Sequence, residues 1–303
     1  MVSMSESYDR AKRFARSKTG RWMQVILALI VGASMAYVGW NQFLQPKEKF
    51  VVAFHTGPTT DPSEMEKLYG AILAELSEGL GMEVEFVMSS DYATTIEALR
   101  NGTADMVRLG PFSYIVAHDE CGAIPLVREI AKGKPYYLGQ IIAQPGIFDE
   151  PYDLADVAGH SVAFVEPTST SGYLVSLAMM REAGITLDDL SEYYFAGSHP
   201  SAIEAVLNGA ADVAATCDRR VNVALEEGVL VEGENYVTLA FSPPLTLNPW
   251  CVHGDMDVEL RDRITQIFLD MSDETIQASE PEGFVVALDS DYNFTRKVAE
   301  EMP

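Results

Sequence analysis

Two stretches of this chain are built on one pattern. Asp91–Val107 reads DYATTIEALRNGTADMV, and Ser198–Ala214 reads SHPSAIEAVLNGAADVA. Both place Ile-Glu-Ala, Asn-Gly and Ala-Asp in the same order before an apolar run, at a constant offset of 107 residues. That offset is too long for a solenoid repeat. A second echo links VAFHTGPTTD (Val52–Asp61) to VAFVEPTSTS (Val162–Ser171). The chain is therefore read as two lobes on one plan: strand, hydroxyl-bearing turn, helix, strand, helix, Asn-Gly turn, strand. Strands are expected over Phe50–Phe54, Met82–Val87 and Ala104–Leu109, with helices from about Ser63 to Gly79 and over Tyr92–Arg100. This alternation predicts an α/β fold with largely parallel sheets. Lobe 1 is expected over residues 50–138 together with about 252–303, and lobe 2 over 139–251. Asp105 and Asp212 are expected to fix the two Asn-Gly turns.

Within that plan, Ser161–Leu174 (SVAFVEPTSTSGYL) carries the chemistry. Ser161–Val165 is a short apolar strand, and Glu166-Pro167 breaks it. Thr168, Ser169, Thr170, Ser171 and Gly172 come next, and the spacing of Leu174, Leu177 and Met180 before Gly184 reads as a helix. The first N–H groups of a helix lack internal partners and its dipole is positive there. Serine and threonine add side-chain donors, and Gly172 is expected to leave room for a ligand at the backbone. This is a site for a phosphate, phosphonate or sulfate held by neutral donors. Serine or threonine is also an ordinary N-cap, but four in a row with a glycine exceed what a cap requires.

In open α/β sheets, ligands bind at the loops leaving the carboxyl ends of the strands. The equivalent loops here are Thr59–Thr60 with Ser169–Ser171, Tyr92 with His199, and Gly110–Tyr114 with Cys217–Val221. If the lobes face each other, these six loops line one cleft, with Tyr92 and His199 as neutral donors on opposite sides. Interdomain clefts suit small ligands and close by hinge bending. Tyr92 and Tyr114 taken singly also fit half-buried structural tyrosines, and Arg108 fits a structural ion-pair partner.

Charge narrows the partners. The chain carries a formal net charge of −24. Its first 49 residues are basic, with Arg10, Lys12, Arg13, Arg16, Lys18, Arg21, Lys47 and Lys49 against Glu6, Asp9 and Glu48, so the remainder is more acidic still. Such a surface argues against nucleic-acid binding and does not steer anions from afar, so an anion site must be local. After the basic residues 1–21, Trp22–Trp40 is an uncharged apolar run long enough to span a bilayer. The charge bias leaves the N-terminus in the cytoplasm and exports the remainder of the chain. Two readings stay open: an uncleaved transmembrane anchor, favoured because apolar residues continue past Ala36, and a cleaved signal peptide. Residues 41–49 read as a linker.

These motifs resemble the phosphate/phosphite/phosphonate-binding proteins of ABC transporters, a branch of the periplasmic solute-binding proteins. The residues that carry the resemblance are Asp91–Tyr114, Ser161–Leu174 and Ser198–Ala215, in the family's order, and it extends over about residues 50–303. It implies a type II periplasmic-binding-protein fold and a monomer that hands a small phosphorus oxyanion to an ABC permease. The oxyanion would lie on Ser169, Thr170 and Ser171, with Tyr92 and Tyr114 from the first lobe and His199 from the second. Relatives that take aminoalkyl phosphonates surround the ammonium with acids. Here SPPLTLNP puts Asn248 at one such position and Arg219 stands at another. The departure implies a ligand without an amine: phosphite, phosphate or methylphosphonate.

Other classes fit less well. The three cysteines, Cys121, Cys217 and Cys251, form no CxxC. The resemblance leaves Cys217 a soft ligand for arsenite, as in one relative; the bland alternatives are a buried thiol or a disulfide with Cys251. Among the five histidines there is no HExxH, and no GxSxG elbow occurs. No acid is spaced to orient Ser169–His199, and no Asp/His cluster suits a metallophosphatase. No cofactor, metal or catalytic role is expected. A membrane-tethered oxyanion sensor of the same fold is the alternative to a transporter subunit.

Overall fold

The computed structural model describes residues 49–55, 62–131 and 133–302. The expected span Trp22–Trp40 and the loop residues Thr59 and Thr60 lie outside the described residues. Among those described, no helix is long and apolar enough to cross a membrane.

Lys49–Pro303 forms one compact unit around two sheets. In chain order the strands are β1 (Lys49–His55), β2 (Glu83–Ser89), β3 (Met106–Arg108), β4 (Ile124–Ile130), β5 (Tyr136–Ala143), β6 (Ser161–Phe164), β7 (Glu192–Phe195), β8 (Val213–Cys217), β9 (Val237–Thr246), β10 (Pro249–Val252) and β11 (Gly283–Val286). The first sheet runs β11-β4-β10-β3-β1-β2 and the second β7-β6-β8-β5-β9. Each has three parallel strands, β2-β1-β3 in one and β7-β6-β8 in the other, flanked by an antiparallel strand, β10 or β5. The sheets are thus mixed rather than largely parallel. The antiparallel strands belong to the connections that pass between the sheets, after Ile130 and after Thr246. Tyr136–Leu138 accordingly pairs in the second sheet and Pro249–Cys251 in the first, displacing both expected lobe boundaries by a few residues. Gly133, with φ of 67°, and Pro135 lie in the first crossing, and the second is only Leu247-Asn248 long.

Burial tracks strand position. Central β1 reads KFVVAFH and buries Phe50, Val52, Ala53 and Phe54, as a strand covered on both faces must. Edge strand β2 reads EVEFVMS and alternates exposed with half-buried. Behind the first sheet, α1 (Pro62–Leu80) buries Tyr69, Ile72 and Leu76 in a core with Phe54 and Trp250.

The repeated motif folds twice into the same object. α2 (Tyr92–Arg100) is capped by Asp91, which accepts from Thr94 N, and α5 (His199–Leu207) by Ser198, which accepts from Ser201 N. Asn101 and Asn208 end the helices. Gly102 and Gly209 come next, with φ of 69° and 75°, a backbone region that strains any residue with a Cβ. These turns are closed by backbone bonds together with Thr103 Oγ1, which donates to Ala98 O, and Asn208 Oδ1, which accepts from Ala210 N, rather than by the bonds that Asp105 and Asp212 accept from Val51 N and Ser161 N. Each aspartate instead latches the start of the neighbouring strand. Val51 N donates to Asp105 Oδ2 at 2.8 Å, and Ser161 N donates to Asp212 Oδ2 at 3.0 Å. Asp212 N in turn donates to Ser161 Oγ at 2.9 Å.

Asp212→Ala is expected to cost roughly 1–2 kcal/mol of stability, read as a lower urea midpoint with unchanged slope. Burial pushes the Asp212 carboxyl up, but the bonds from Ser161 and His160 outweigh it and hold its pKa below 3.8. The folded pKa is the lower one. The contribution is therefore present above the ordinary carboxylate range and is lost as pH falls through the folded value. The alanine variant should show a shallower loss of stability in acid than the parent.

Candidate functional site

A cavity of about 700 Å³ is lined from both sheets, by residues at the carboxyl ends of parallel strands and by the helices that follow them. His55 closes β1, and Arg108 and Gly110 lie along β3 and its exit. Tyr92 begins the helix after β2, and Ser169–Ser171 come after β6. Ser198 and His199 come after β7, and Cys217, Arg219 and Arg220 end β8 and start α6 (Asp218–Glu226). Tyr137 and Asn248 come from the two crossings.

The hydroxyl turn is almost fully buried, with Ser169, Thr170 and Ser171 1–3% exposed. Ser169 Oγ accepts from Gly172 N at 3.2 Å, capping a wide π-helical turn over Thr170–Leu174 that leads into α4 (Val175–Glu182). Thr170 Oγ1 accepts from Phe112 N of the opposite side at 2.8 Å. Burial raises the pKa of the Tyr137 phenol, against a smaller lowering by the Ser171 and Thr170 hydroxyls. Gly172 does not make room for a ligand. A Cβ there would lie 2.3 Å from Val165 Cγ2, because Gly172 O also accepts from Val165 N at 2.9 Å to close the turn. The glycine serves close packing inside the turn, and Ser169, Thr170 and Ser171 line the cavity.

Facing the turn are two neutral rings. Burial pushes the Tyr92 phenol up to about 12, helped by the charge of Glu166. Burial also pulls His199 down to about 3, helped by the Arg220, His55 and Arg219 charges, so the imidazole is neutral at ordinary pH. Its Nδ1 lies 3.0 Å from Thr216 Oγ1. Glu166, which breaks the strand, reaches across to the first sheet: it accepts from Tyr92 N at 3.0 Å and lies 2.6 Å from His55 Nε2.

The opposite wall is ionic. Arg108 makes a bidentate pair with the fully buried Glu129, with Nη2 to Oε2 at 2.9 Å. With its amide oxygen turned inward, Asn248 accepts from Arg108 Nη2 and Nη1 at 3.1 and 3.2 Å. Arg219 reaches Glu129 at 3.4 Å and Glu280 at 2.9 Å. Burial pushes the Glu280 carboxyl up, but Arg220, Arg219 and Arg108 together hold it at about 2.

Residues 54–292 match the family described as ABC transporter, phosphonate, periplasmic substrate-binding protein. The chain belongs to this family. It is 29% identical over 238 residues to the phosphate-import protein PhnD of Mycolicibacterium smegmatis, spanning 75% of this chain and 73% of that one. PhnD1 of Prochlorococcus marinus, solved in complex with methylphosphonate, has a TM-score of 0.74 at 17% identity, covering 84% of this chain and 98% of that one. A binding-protein component of an ABC phosphonate transporter from Pseudomonas aeruginosa has a TM-score of 0.72 at 19% identity, covering 82% and 85%. At these identities the two structures establish the periplasmic-binding-protein-like fold. The family supplies substrate-binding components of transporters, not enzymes.

Of the residues singled out in the sequence, Tyr92, Ser169, Thr170, Ser171, His199 and Asn248 meet on this cavity. Tyr114 does not. It is fully buried in a separate core cluster and its hydroxyl donates to Asp289 at 2.7 Å. It lies on α3 (Pro111–Cys121), one helical turn beyond the Gly110 that does line the cavity. Cys217 lines the cavity as a free thiol, and Cys251 is free as well, so they form no disulfide. Burial raises the Cys217 pKa, which disfavours the thiolate that a soft ligand requires. His55, Tyr137, Glu166 and Arg220 were not singled out. Only their places at strand ends and crossings could have indicated them.

The depressed His199 pKa carries a sign. The unfolded imidazole takes up a proton below about 6.5 and the folded one does not until about 3. Stability is therefore lost as pH falls through this window. NMR should show no His199 titration between pH 5 and 8. His199→Gln should flatten the acid dependence of the unfolding midpoint over the same window.

Proposed function

We propose that this chain captures a small phosphorus oxyanion, such as phosphite, phosphate or methylphosphonate, in the cavity between its sheets and delivers it to the permease of an ABC importer. The observation that supports this most is the buried hydroxyl turn Ser169–Ser171 at a helix start, set across one cavity from the Tyr92 phenol and the neutral His199. Hydroxyls and helix N–H groups donate to an oxyanion without requiring a counter-charge. The His199 tautomer that carries its proton on Nε2 adds a further donor on the cavity side. Asn248 contributes through Arg108, whose guanidinium it holds against the wall. Thr59 and Thr60, equivalent in sequence to the hydroxyl turn, are proposed to complete the first-sheet side.

Enclosure would proceed by the two sheets closing over the ligand. The contacts of Glu166 with Tyr92 N and His55, and of Thr170 with Phe112 N, already join the sheets. The apolar run Trp22–Trp40 is proposed to hold the binding unit at the outer face of the inner membrane, where a monomer meets its permease.

Ser171→Ala is expected to weaken binding of methylphosphonate and phosphate by roughly 1–3 kcal/mol in calorimetry, with the melting temperature of the free protein little changed. Aminoethylphosphonate should bind more weakly than methylphosphonate, because the ionic wall presents Arg108, Arg219 and Arg220 where an ammonium would need carboxylates. Equal affinity of Ser171→Ala and parent for every phosphorus oxyanion would remove the hydroxyl turn from the site.

A further inference from the structure

Arg220 is the guanidinium on this cavity that the protein leaves over. Arg108 is engaged by Glu129 and Asn248, and Arg219 by Glu129 and Glu280. Arg220 lines the same cavity with its side chain 34% exposed. Among the described residues its guanidinium has one charge contact, 3.6 Å from a Glu280 oxygen already taken by Arg219, and no hydrogen bond. Three guanidiniums thus meet two carboxylates, which leaves one positive charge on the wall of a strongly acidic protein. The fork of Arg220 has five N–H donors that match a carboxylate or a second acidic oxyanion.

Its position relative to the hydroxyl turn fixes what it could serve. Arg220, His199, Tyr92 and the hydroxyl turn line one cavity, and the Arg220 charge is felt at both rings. The cavity, about 700 Å³, is also larger than phosphite or methylphosphonate requires. Pockets of about 300–1,000 Å³ enclose considerably larger ligands. Further out, the lining turns apolar and acidic, with Ile203, Leu207, Val223, Glu204 and Glu227. Glu227 lies just past the end of α6, about 10 Å along the helix from Arg220 at 1.5 Å per residue. A long acidic tail would meet that rim, whereas a short one stops at Arg220.

We propose that Arg220 forms a second anion subsite, so that the preferred ligand is a short phosphonate that also bears a carboxylate, one or two carbons from phosphorus. This rests on the reading that the hydroxyl turn holds the phosphonyl group. It adds a tail-binding group within the same cavity.

The test is calorimetry of the purified full-length protein with methylphosphonate, phosphonoacetate and 3-phosphonopropionate, repeated for Arg220→Gln and Arg220→Lys. Arg220→Gln removes no internal hydrogen bond, and a melting curve checks its fold. A charge-assisted contact of this kind is worth about tenfold or more in affinity. Expected is phosphonoacetate or 3-phosphonopropionate binding about tenfold or more tightly than methylphosphonate. Arg220→Gln should erase that advantage with a much smaller effect on methylphosphonate, and Arg220→Lys should restore part of it. Equal losses for all three ligands would show Arg220 serving the phosphonyl group itself and would overturn the subsite. So would a carboxylated ligand that binds no better than methylphosphonate. If no phosphonate binds the parent at all, the underlying reading of the hydroxyl turn fails as well.

Discussion

The architecture turns on buried charges that must find partners across the gap between two sheets. Glu166 leaves the second sheet with its side chain about 8% exposed and ends on the start of α2 and on His55 of the first sheet. Arg219 leaves the second sheet and ends on Glu129 and Glu280 of the first. A buried charge deprived of its partner costs several kcal/mol, so these contacts tie the separation of the sheets to a large penalty. They also define the cavity. One set borders the hydroxyl turn with neutral groups, and the other builds an ionic wall opposite.

That division explains how a chain of net charge −24 can hold an anion. Long-range attraction cannot help, so the site works at contact distance. On the proposed reading, neutral hydroxyls, a phenol and an imidazole kept uncharged by burial supply the donors without repelling one another. The guanidiniums supply positive charge, most of it cancelled by Glu129 and Glu280. At the two positions where the resemblance implied acids, Asn248 backs Arg108 and Arg219 bridges two glutamates.

Much of this was legible in the sequence, for a physical reason. Helix caps and Asn-Gly turns are local, so Asp91–Val107 and Ser198–Ala214 announced two copies of one unit, and the helix bounds Tyr92–Arg100 of the first. The hydroxyl turn was legible because four consecutive hydroxyls exceed what a cap requires. Contacts between distant segments were not legible. Glu166 read as a strand breaker, and nothing near it points to His55. Gly172 read as an opening, but its role depends on Val165 packed above it. Tyr114 sits one turn too far along its helix, and a spacing argument without a register cannot tell the cavity face from the core face. Asp105 and Asp212 read as turn residues because their partners, Val51 and Ser161, are some fifty residues away.

The central claim is that the oxyanion rests on the hydroxyl turn, opposite Tyr92 and His199. A crystal structure of the protein soaked with methylphosphonate tests it most directly. The account predicts phosphorus density with its oxygens within hydrogen-bonding reach, about 2.7–3.2 Å, of Ser169, Thr170 or Ser171 and of at least one of Tyr92 and His199. Density lodged only against the guanidiniums, with Ser169 and Thr170 bonded only to Gly172 N and Phe112 N as in the free protein, would contradict it.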